Sequence, residues 1–318
     1  MEILSFLRKI LIFSIPILFI ILILDFIITL GLKKSESDDF REWNDLYQSK
    51  INADLIINGS SRAWVHISPQ ILDTSFSIDS YNLGIDGHNF YLQYCRFLEY
   101  CKYNKLPKYI IQSVDVFTLN KRKDLYNKIQ FLPYFDKKNI RKYTKTYEGF
   151  STYDYYIPFY RYLNHFEVIK IGFFNFFQYE QPNNGKFKGY LGVERSWDNS
   201  YYNYLFSNKF INSYEFDEQT LILFDQYLNF CRENNIKVIL VYTPEFIGNQ
   251  LIFSNRLEVI NRFEKISKNH GISFLNYSLD SMSFKTKYFY NSQHLNKNGS
   301  EIFSKKLSND LVKLKFIN

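Results

Sequence analysis

The chain has 318 residues, long enough to bury a sizeable core, with a formal net charge of +7 and a pI near 9.0. Its three cysteines, Cys95, Cys101 and Cys231, are an odd, scattered set with no Cys/His metal-ligand spacing, which excludes a disulfide framework and a structural zinc site. The basic charge comes with no nucleic-acid motif and no cofactor motif, and the 19% of aromatic residues is discounted as a carbohydrate signal, because an AT-rich coding bias would produce the same excess.

The first predicted element is a membrane span over Ile10–Leu32. Its 23 residues can cross about 30 Å of hydrocarbon. Asp25 is its single charge, and Pro16 is tolerable in a membrane helix. The run is too long for a signal-peptide core, and no small-x-small cleavage site follows it. Arg8 and Lys9 precede it and Lys33 and Lys34 follow, so the nearest cations do not set its orientation. Glu2 and Asp25 balance Arg8 and Lys9, which leaves the positive charge on the remainder, suited to anionic lipid or polymer or simply to solvent. Residues 1–34 are thus read as an anchor and 35–53 as a polar, helical stalk.

Leu55–Ile57 is a short apolar run ending in Asn58-Gly59-Ser60-Ser61-Arg62, a buried strand turning into a helix. A serine there sits at the carboxyl end of a strand, where open α/β sheets bind ligands, and helix N–H groups face what it attacks. Pro69 limits the helix and starts another, 76–81 reads as a second strand, and Asn82-Leu-Gly-Ile-Asp-Gly87 is its loop. A helix over 89–104 and a strand over 108–115 complete a βαβ rhythm, hence a parallel sheet. Residues 119–215, rich in Tyr, Phe, Asn and Lys, break that rhythm as a mostly helical insertion. The sheet resumes with a helix over 217–234, a strand ending in Thr243-Pro244-Glu245, a helix over 256–269 stopped at Gly271, and a last strand over 272–276. Asn291-Ser-Gln-His294 then lies in a loop before an amphipathic terminal helix. His294 is the base candidate; His66, His88, His165 and His270 are weaker ones. The expected fold is a three-layer α/β domain of two parts, 54–118 and 216–318.

Gly59-Ser60-Ser61 and Asn291-Ser292-Gln293-His294, in that order and strand context, resemble the first and last blocks of the SGNH/GDSL hydrolase superfamily. The Gly-Ser-Ser-Arg variant and the His-Leu-Asn-x-x-Gly ending are similar to its membrane-anchored branch, which handles teichoic-acid D-alanylation and exopolysaccharide O-acetylation. The resemblance covers roughly 54–116 and 236–311. It implies a flavodoxin-like parallel sheet, Ser61 as nucleophile, His294 as base, and oxyanion donors at the N–H groups of Ser61 and Gly84. Ser60, Arg62, Asp115 and Glu245 stand as further oxyanion or substrate-binding candidates, with Glu245 as a possible orienter of His294. The stretch Lys186–Gly192 is implied to lie near the site. The implied setting is the bacterial cytoplasmic membrane, with the domain outside. Implied partners are membrane lipid, an envelope polysaccharide or glycolipid, and a multi-spanning membrane acyltransferase.

Two departures stand out. Val114 occupies the place of the family's oxyanion asparagine, and a valine side chain cannot donate; losing one such donor costs about 3–4 kcal/mol in a well-studied protease. Asn291 stands where the family has aspartate, and an amide can orient imidazole without carrying its counter-charge. The sequence therefore supports an esterase or O-acyltransferase first, and a non-catalytic glycan-presenting partner second.

Overall fold

The short apolar runs of the sequence join one sheet. The structure, a computed structural model, describes residues 2–178, 186–198, 201–202 and 213–317. Residues 179–185, 199–200 and 203–212 of the expected insertion lie outside the described residues. The strands are β1 (Leu55–Asn58), β2 (Ser80–Asn82), β3 (Tyr109–Val114), β4 (Lys237–Tyr242) and β5 (Ser273–Asn276). They pair in parallel in the order β2-β1-β3-β4-β5, with Ile57 opposite both Asn82 and Ile111. That flavodoxin-like order reverses between β1 and β3, so the carboxyl ends of these two strands flank a crevice. β1 and β3 are buried along their whole length, which is why they read as apolar runs rather than alternating ones.

In chain order the helices are α1 (Glu2–Leu32), α2 (Arg41–Tyr47), α3 (Ser61–His66), α4 (Pro69–Phe76), α5 (Phe90–Tyr103), α6 (Lys138–Thr144), α7 (Thr152–Tyr156), α8 (Phe166–Phe176), α9 (Glu218–Glu233), α10 (Ile247–Gln250), α11 (Arg256–His270) and α12 (Lys297–Lys313). One layer, α3, α4 and α12, packs Ala63, Leu72, Phe303 and Leu307 against Leu55, Ile57, Ile111 and Val241 of the sheet. The opposite layer is aromatic: Phe90 and Phe97 of α5 meet Phe224 and Tyr227 of α9, with ring centroids as close as 4.5 Å.

Two local expectations give way. The stretch 76–81 is not all strand, because α4 runs to Phe76 and stops at Ser77, with φ +53°. The Asp73 carboxylate then takes the Ser80 N–H at 2.8 Å and fixes where β2 begins. Residues 35–53 are not a solvated stalk. Phe40 and Trp43, three apart on one helix face, are completely buried, and the Trp43 indole donates to Gln130 Oε1 at 3.1 Å.

By packing, the described residues fall into a sheet unit drawn from 45–126 and 185–318 and a helical unit drawn from 1–44 and 127–184. In the helical unit α1 is long and apolar enough to cross a membrane. Most of its described large apolar residues between Ile3 and Phe26 are exposed, whereas Ile28 and Leu32 are buried. Asp25 is matched from within this unit: it accepts the Phe159 N–H at 2.7 Å and pairs with Arg161 at 2.9 Å. α1 and α8 touch backbone to backbone, since a Cβ on Gly31 would lie 1.6 Å from the Gly172 carbonyl oxygen. α8 and its approach leave Tyr153, Tyr156, Phe166 and Phe177 more than half exposed.

Candidate active site

The corner after β1 is a place where only glycine fits. Gly59 has φ +152°, and a Cβ there would stand 2.8 Å from the Cβ atoms of Ala63 and Ser113. The sharp turn puts Ser60 at the N-cap of α3, accepting the Arg62 N–H at 3.3 Å, and Ser61 at its first position. The Ser60 hydroxyl donates to Asp115 at the end of β3. Asp115 also accepts the Phe117 N–H at 2.8 Å and the Thr118 hydroxyl at 3.1 Å. Ser60 and Asp115 therefore tie two strand ends together beneath Ser61.

Ser61 Oγ lies 2.8 Å from His294 Nε2, although 233 positions separate them. His294 Nδ1 lies 3.0 Å from Asn291 Oδ1, which also accepts the N–H groups of Gln293 and His294 at 3.0 and 2.9 Å. An amide oxygen can only accept, so Nδ1 carries the proton and Nε2 is left to accept from the Ser61 hydroxyl. Burial first, then the charges of Arg62 and Arg195, push the His294 imidazole down to about 3. His294 is thus neutral, the form that accepts a proton, and pays heavily for becoming charged.

The loop carrying His294 is pinned from several sides. Tyr290 stacks on the imidazole, centroids 5.4 Å apart and planes 8° apart, and Arg195 lies 4.6 Å from the Tyr290 ring. The Leu295 N–H donates to His66 Nε2 at 3.0 Å, and His66 Nδ1 gives its proton to the Thr243 hydroxyl at 2.7 Å. Both His66 nitrogens are used, and burial, followed by the nearby His294 and Arg62, holds its pKa well below the ordinary value. His66 is a strut for the loop, a role with no mark in the sequence.

Arg62 and Glu245 face one another inside the protein, 2% and 1% exposed, rather than the cleft. Glu245 also accepts from Tyr242 Oη at 2.7 Å, Asn249 Nδ2 at 3.1 Å and Arg256 Nε at 3.3 Å. Burial by itself would raise the Glu245 carboxyl, but the Arg62 and Arg256 charges outweigh it and hold the group below its ordinary value. Glu245 makes no hydrogen bond to His294. It reaches the histidine loop indirectly, because Asn249 Oδ1 accepts the Ser292 hydroxyl at 3.2 Å.

The oxyanion side differs from what the resemblance implied. The Gly84 N–H donates to Asn82 Oδ1 at 2.9 Å and is not free for a substrate. A Cβ on Gly84 would stand 2.5 Å from the Trp64 nitrogen, so this glycine serves close packing on α3. The glycine that lines the cleft with Ser61 and His294 is Gly87, in the same loop, at φ +72°. Val114 is fully buried and presents nothing to the cleft. Lys186–Gly192 packs along β2 and α3, with the Lys188 carbonyl accepting the Asn82 N–H at 2.9 Å and the Trp64 carbonyl accepting the Leu191 N–H at 3.2 Å.

Two cavities meet at His294. The first, about 510 Å³, holds Ser61, Asp86, Gly87, His88 and Asp115 and opens toward Lys121-Arg122-Lys123. The second, about 670 Å³, is bounded by Phe117, Tyr201, Tyr214, Ile252 and Phe253, and by the Asn291–His294 loop. Phe117, Asn120 and Gln293 line both. The aromatic wall was invisible in the sequence because its members come from 117, 214 and 253, scattered through a Tyr- and Phe-rich chain.

No protein-family model matches the chain, and no curated protein matches it. Solved structures similar to it include three bacterial proteins. One is a Bacteroides fragilis protein to which acylhydrolase activity is ascribed: 13% identity, 85% of this chain and 96% of that one covered, TM-score 0.39. Another is a Streptococcus pneumoniae protein described as a platelet activating factor: 12% identity, 88% and 94% covered, TM-score 0.43. The third is a GDSL-like lipase from Bacteroides thetaiotaomicron: 13% identity, 80% and 87% covered, TM-score 0.36.

Proposed function

We propose that the protein is a membrane-anchored SGNH-type enzyme that cleaves or transfers acyl esters on an envelope polysaccharide or glycolipid outside the cytoplasmic membrane. The observation that carries this reading is the Ser61–His294–Asn291 line, with 2.8 Å between hydroxyl and base and 3.0 Å between base and orienting amide. Ser61 Oγ attacks the ester carbonyl while His294 Nε2 takes its proton. The collapsing intermediate expels the alcohol, which receives that proton, and leaves an acyl group on Ser61. Water or a sugar hydroxyl then attacks the acyl-serine by the reverse proton path; which one arrives decides hydrolysis or transfer. The amide N–H of Ser61 begins a helix, where it has no intrahelical acceptor, and can receive the oxyanion.

The exposed apolar length of α1 and the exposed aromatics of the α7–α8 region support the membrane part of the reading, since tyrosine and other aromatic rings favour the bilayer interface. A non-catalytic, glycan-presenting role is the second reading. It is favoured by the neutral Asn291, the engaged Gly84 amide and the buried Val114, which together thin out the stabilisation of developing charge. The test is turnover of a small activated acetyl ester by the purified 318-residue chain in detergent. Turnover that disappears in Ser61→Ala supports the enzyme; a wild-type rate equal to that of Ser61→Ala moves the choice to the second reading.

A further inference from the structure

We infer that the cavity bounded by Phe117, Tyr214, Ile252 and Phe253 is the subsite for the alcohol half of the ester, and that it takes an uncharged sugar ring. The inference rests on the ester-cleaving reading for its proton path and on the cavity itself for its ligand chemistry.

The proton path sets the direction. The proton that His294 Nε2 takes from Ser61 has to be delivered to the departing alcohol oxygen as the carbon–oxygen bond breaks, so the alcohol lies on the His294 side of the carbonyl. The second cavity touches Asn291, Ser292, Gln293 and His294 but not Ser61 or the 86–88 loop. Atoms beyond the ester oxygen therefore enter it, while the carbonyl stays against Ser61 in the first cavity.

The lining names the ligand class. No Asp, Glu, Lys or Arg is among the described residues bounding the second cavity, whereas the first is walled by Asp86, Asp115 and the Lys121–Asp124 run. A charged occupant would find no counter-ion among the described residues of the second cavity. Tyr214 and Phe253 stack with centroids 4.2 Å apart, and the Phe117 ring stands edge-on to Tyr214 at 5.2 Å. This is a rigid aromatic surface of the kind on which the C–H face of a pyranose packs. The Tyr214 backbone is clamped to the Asn255 side chain by two hydrogen bonds of 2.8 Å, so the surface is fixed beforehand. Asn120, Ser292 and Gln293 supply neutral amide and hydroxyl groups around it, the pattern that hydrogen-bonds sugar hydroxyls without charge. A slot for a fatty acyl chain would have no use for that polar rim.

The test uses the 318-residue chain in detergent micelles. Substrates are the 6-O-acetyl esters of methyl glucoside, galactoside, mannoside and N-acetylglucosaminide, with ethyl acetate and ethyl octanoate as controls. Phe253→Ala is expected to lower kcat/KM for the preferred sugar ester at least about tenfold and to leave ethyl acetate within about twofold. Ile252→Trp, which fills the cavity, does the same if Phe253→Ala proves unstable. Equal losses on sugar ester and ethyl acetate, or a loss confined to ethyl octanoate, overturn the inference, the latter by making the cavity an acyl slot. Ligand binding is read separately, by saturation-transfer NMR of the four unesterified methyl glycosides on Ser61→Ala. Signal that vanishes on adding Phe253→Ala sustains the sugar subsite even if no ester is turned over, in which case the enzyme reading alone falls. No saturation transfer from any of the four overturns the subsite.

Discussion

Replacing Asn291 by aspartate places a negative charge where the histidine has only a dipole. The Asn291 oxygen already lies 3.0 Å from His294 Nδ1 and accepts the N–H groups of Gln293 and His294. A carboxylate oxygen in the same place keeps all three donors and strengthens them by charge. His294 now stands at about 3, because burial and then the Arg62 and Arg195 charges oppose its protonation. A carboxylate centred about 4 Å from the imidazolium, at an effective dielectric constant of about 20, contributes roughly 4 kcal/mol, or about 3 pKa units. That lifts His294 well above its present value. The same attraction stabilises the imidazolium formed in the transition state, so the rate rises; the loss of about 10⁴ from the opposite change in a serine protease is the ceiling. The assay is the pH profile of kcat/KM on a soluble acetyl ester. The present chain is expected to hold a low plateau from neutral pH down to about pH 4, since its base stays neutral there. Asn291→Asp is expected to raise the plateau at least about tenfold and to lose rate on the acid side at a higher pH than the present chain does. An unchanged or lower plateau with no new acid limb refutes the assignment of Asn291 as the orienter of a working base.

Glu245→Gln strands Arg62 in the core and is expected to cost about 3–5 kcal/mol in urea unfolding, while Arg62→Met with Glu245→Leu together costs less than either single change. His66 and His88 are buried in their neutral forms, His88 pushed down to about 3 by burial first and then by Arg122. Their ordinary value is about 6.5, so below it the unfolded chain binds protons that the folded chain does not, and stability falls as pH falls. The loss from His88 alone is about 2 kcal/mol at pH 5, and His88→Asn should remove about that much of the fall in urea unfolding free energy between pH 7 and pH 5. A periplasmic-type reporter fused after residue 318 is expected to be active and a cytoplasm-only reporter silent; the opposite pattern reverses the proposed topology.

The sheet was legible because β1 and β3 are buried along their whole length and β4 is buried after Lys237. Leu55–Ile57, Ile110–Ile111 and Val238–Tyr242 stand out as apolar runs closed by Gly59, Asp115 and Pro244. The parallel pairing followed from the βαβ rhythm, and the flavodoxin-like order from the family resemblance. Helix stops with a local cause were equally readable, as Gly271 at φ +63° shows, but the stop at Ser77 and the role of Asp73, which fixes the start of β2 by accepting the Ser80 N–H, were not. The pairing of Ser61 with His294 was suggested by motif order. What surrounds them was hidden: Arg62 and Glu245 were expected to meet substrate and His66 to be a weaker base, whereas folding buries all three together with Asn249. The Gly84 and Gly87 amides could not be told apart from a loop containing both; only the Asn82 side chain, by capturing one, separates them.

The most direct test of Ser61 as a nucleophile activated by His294 is covalent capture. The 318-residue chain is treated with a fluorophosphonate, digested, and mapped by mass spectrometry, alongside Ser61→Ala and His294→Ala. The expected adduct sits on Ser61 in the wild type, is absent in Ser61→Ala, and forms far more slowly in His294→Ala, because nucleophile and base act as one unit. Ser61→Ala should stay folded, since the cap of α3 is Ser60 and the Ser61 hydroxyl bonds to His294 instead. No adduct on Ser61, or an adduct that forms equally fast without His294, contradicts it.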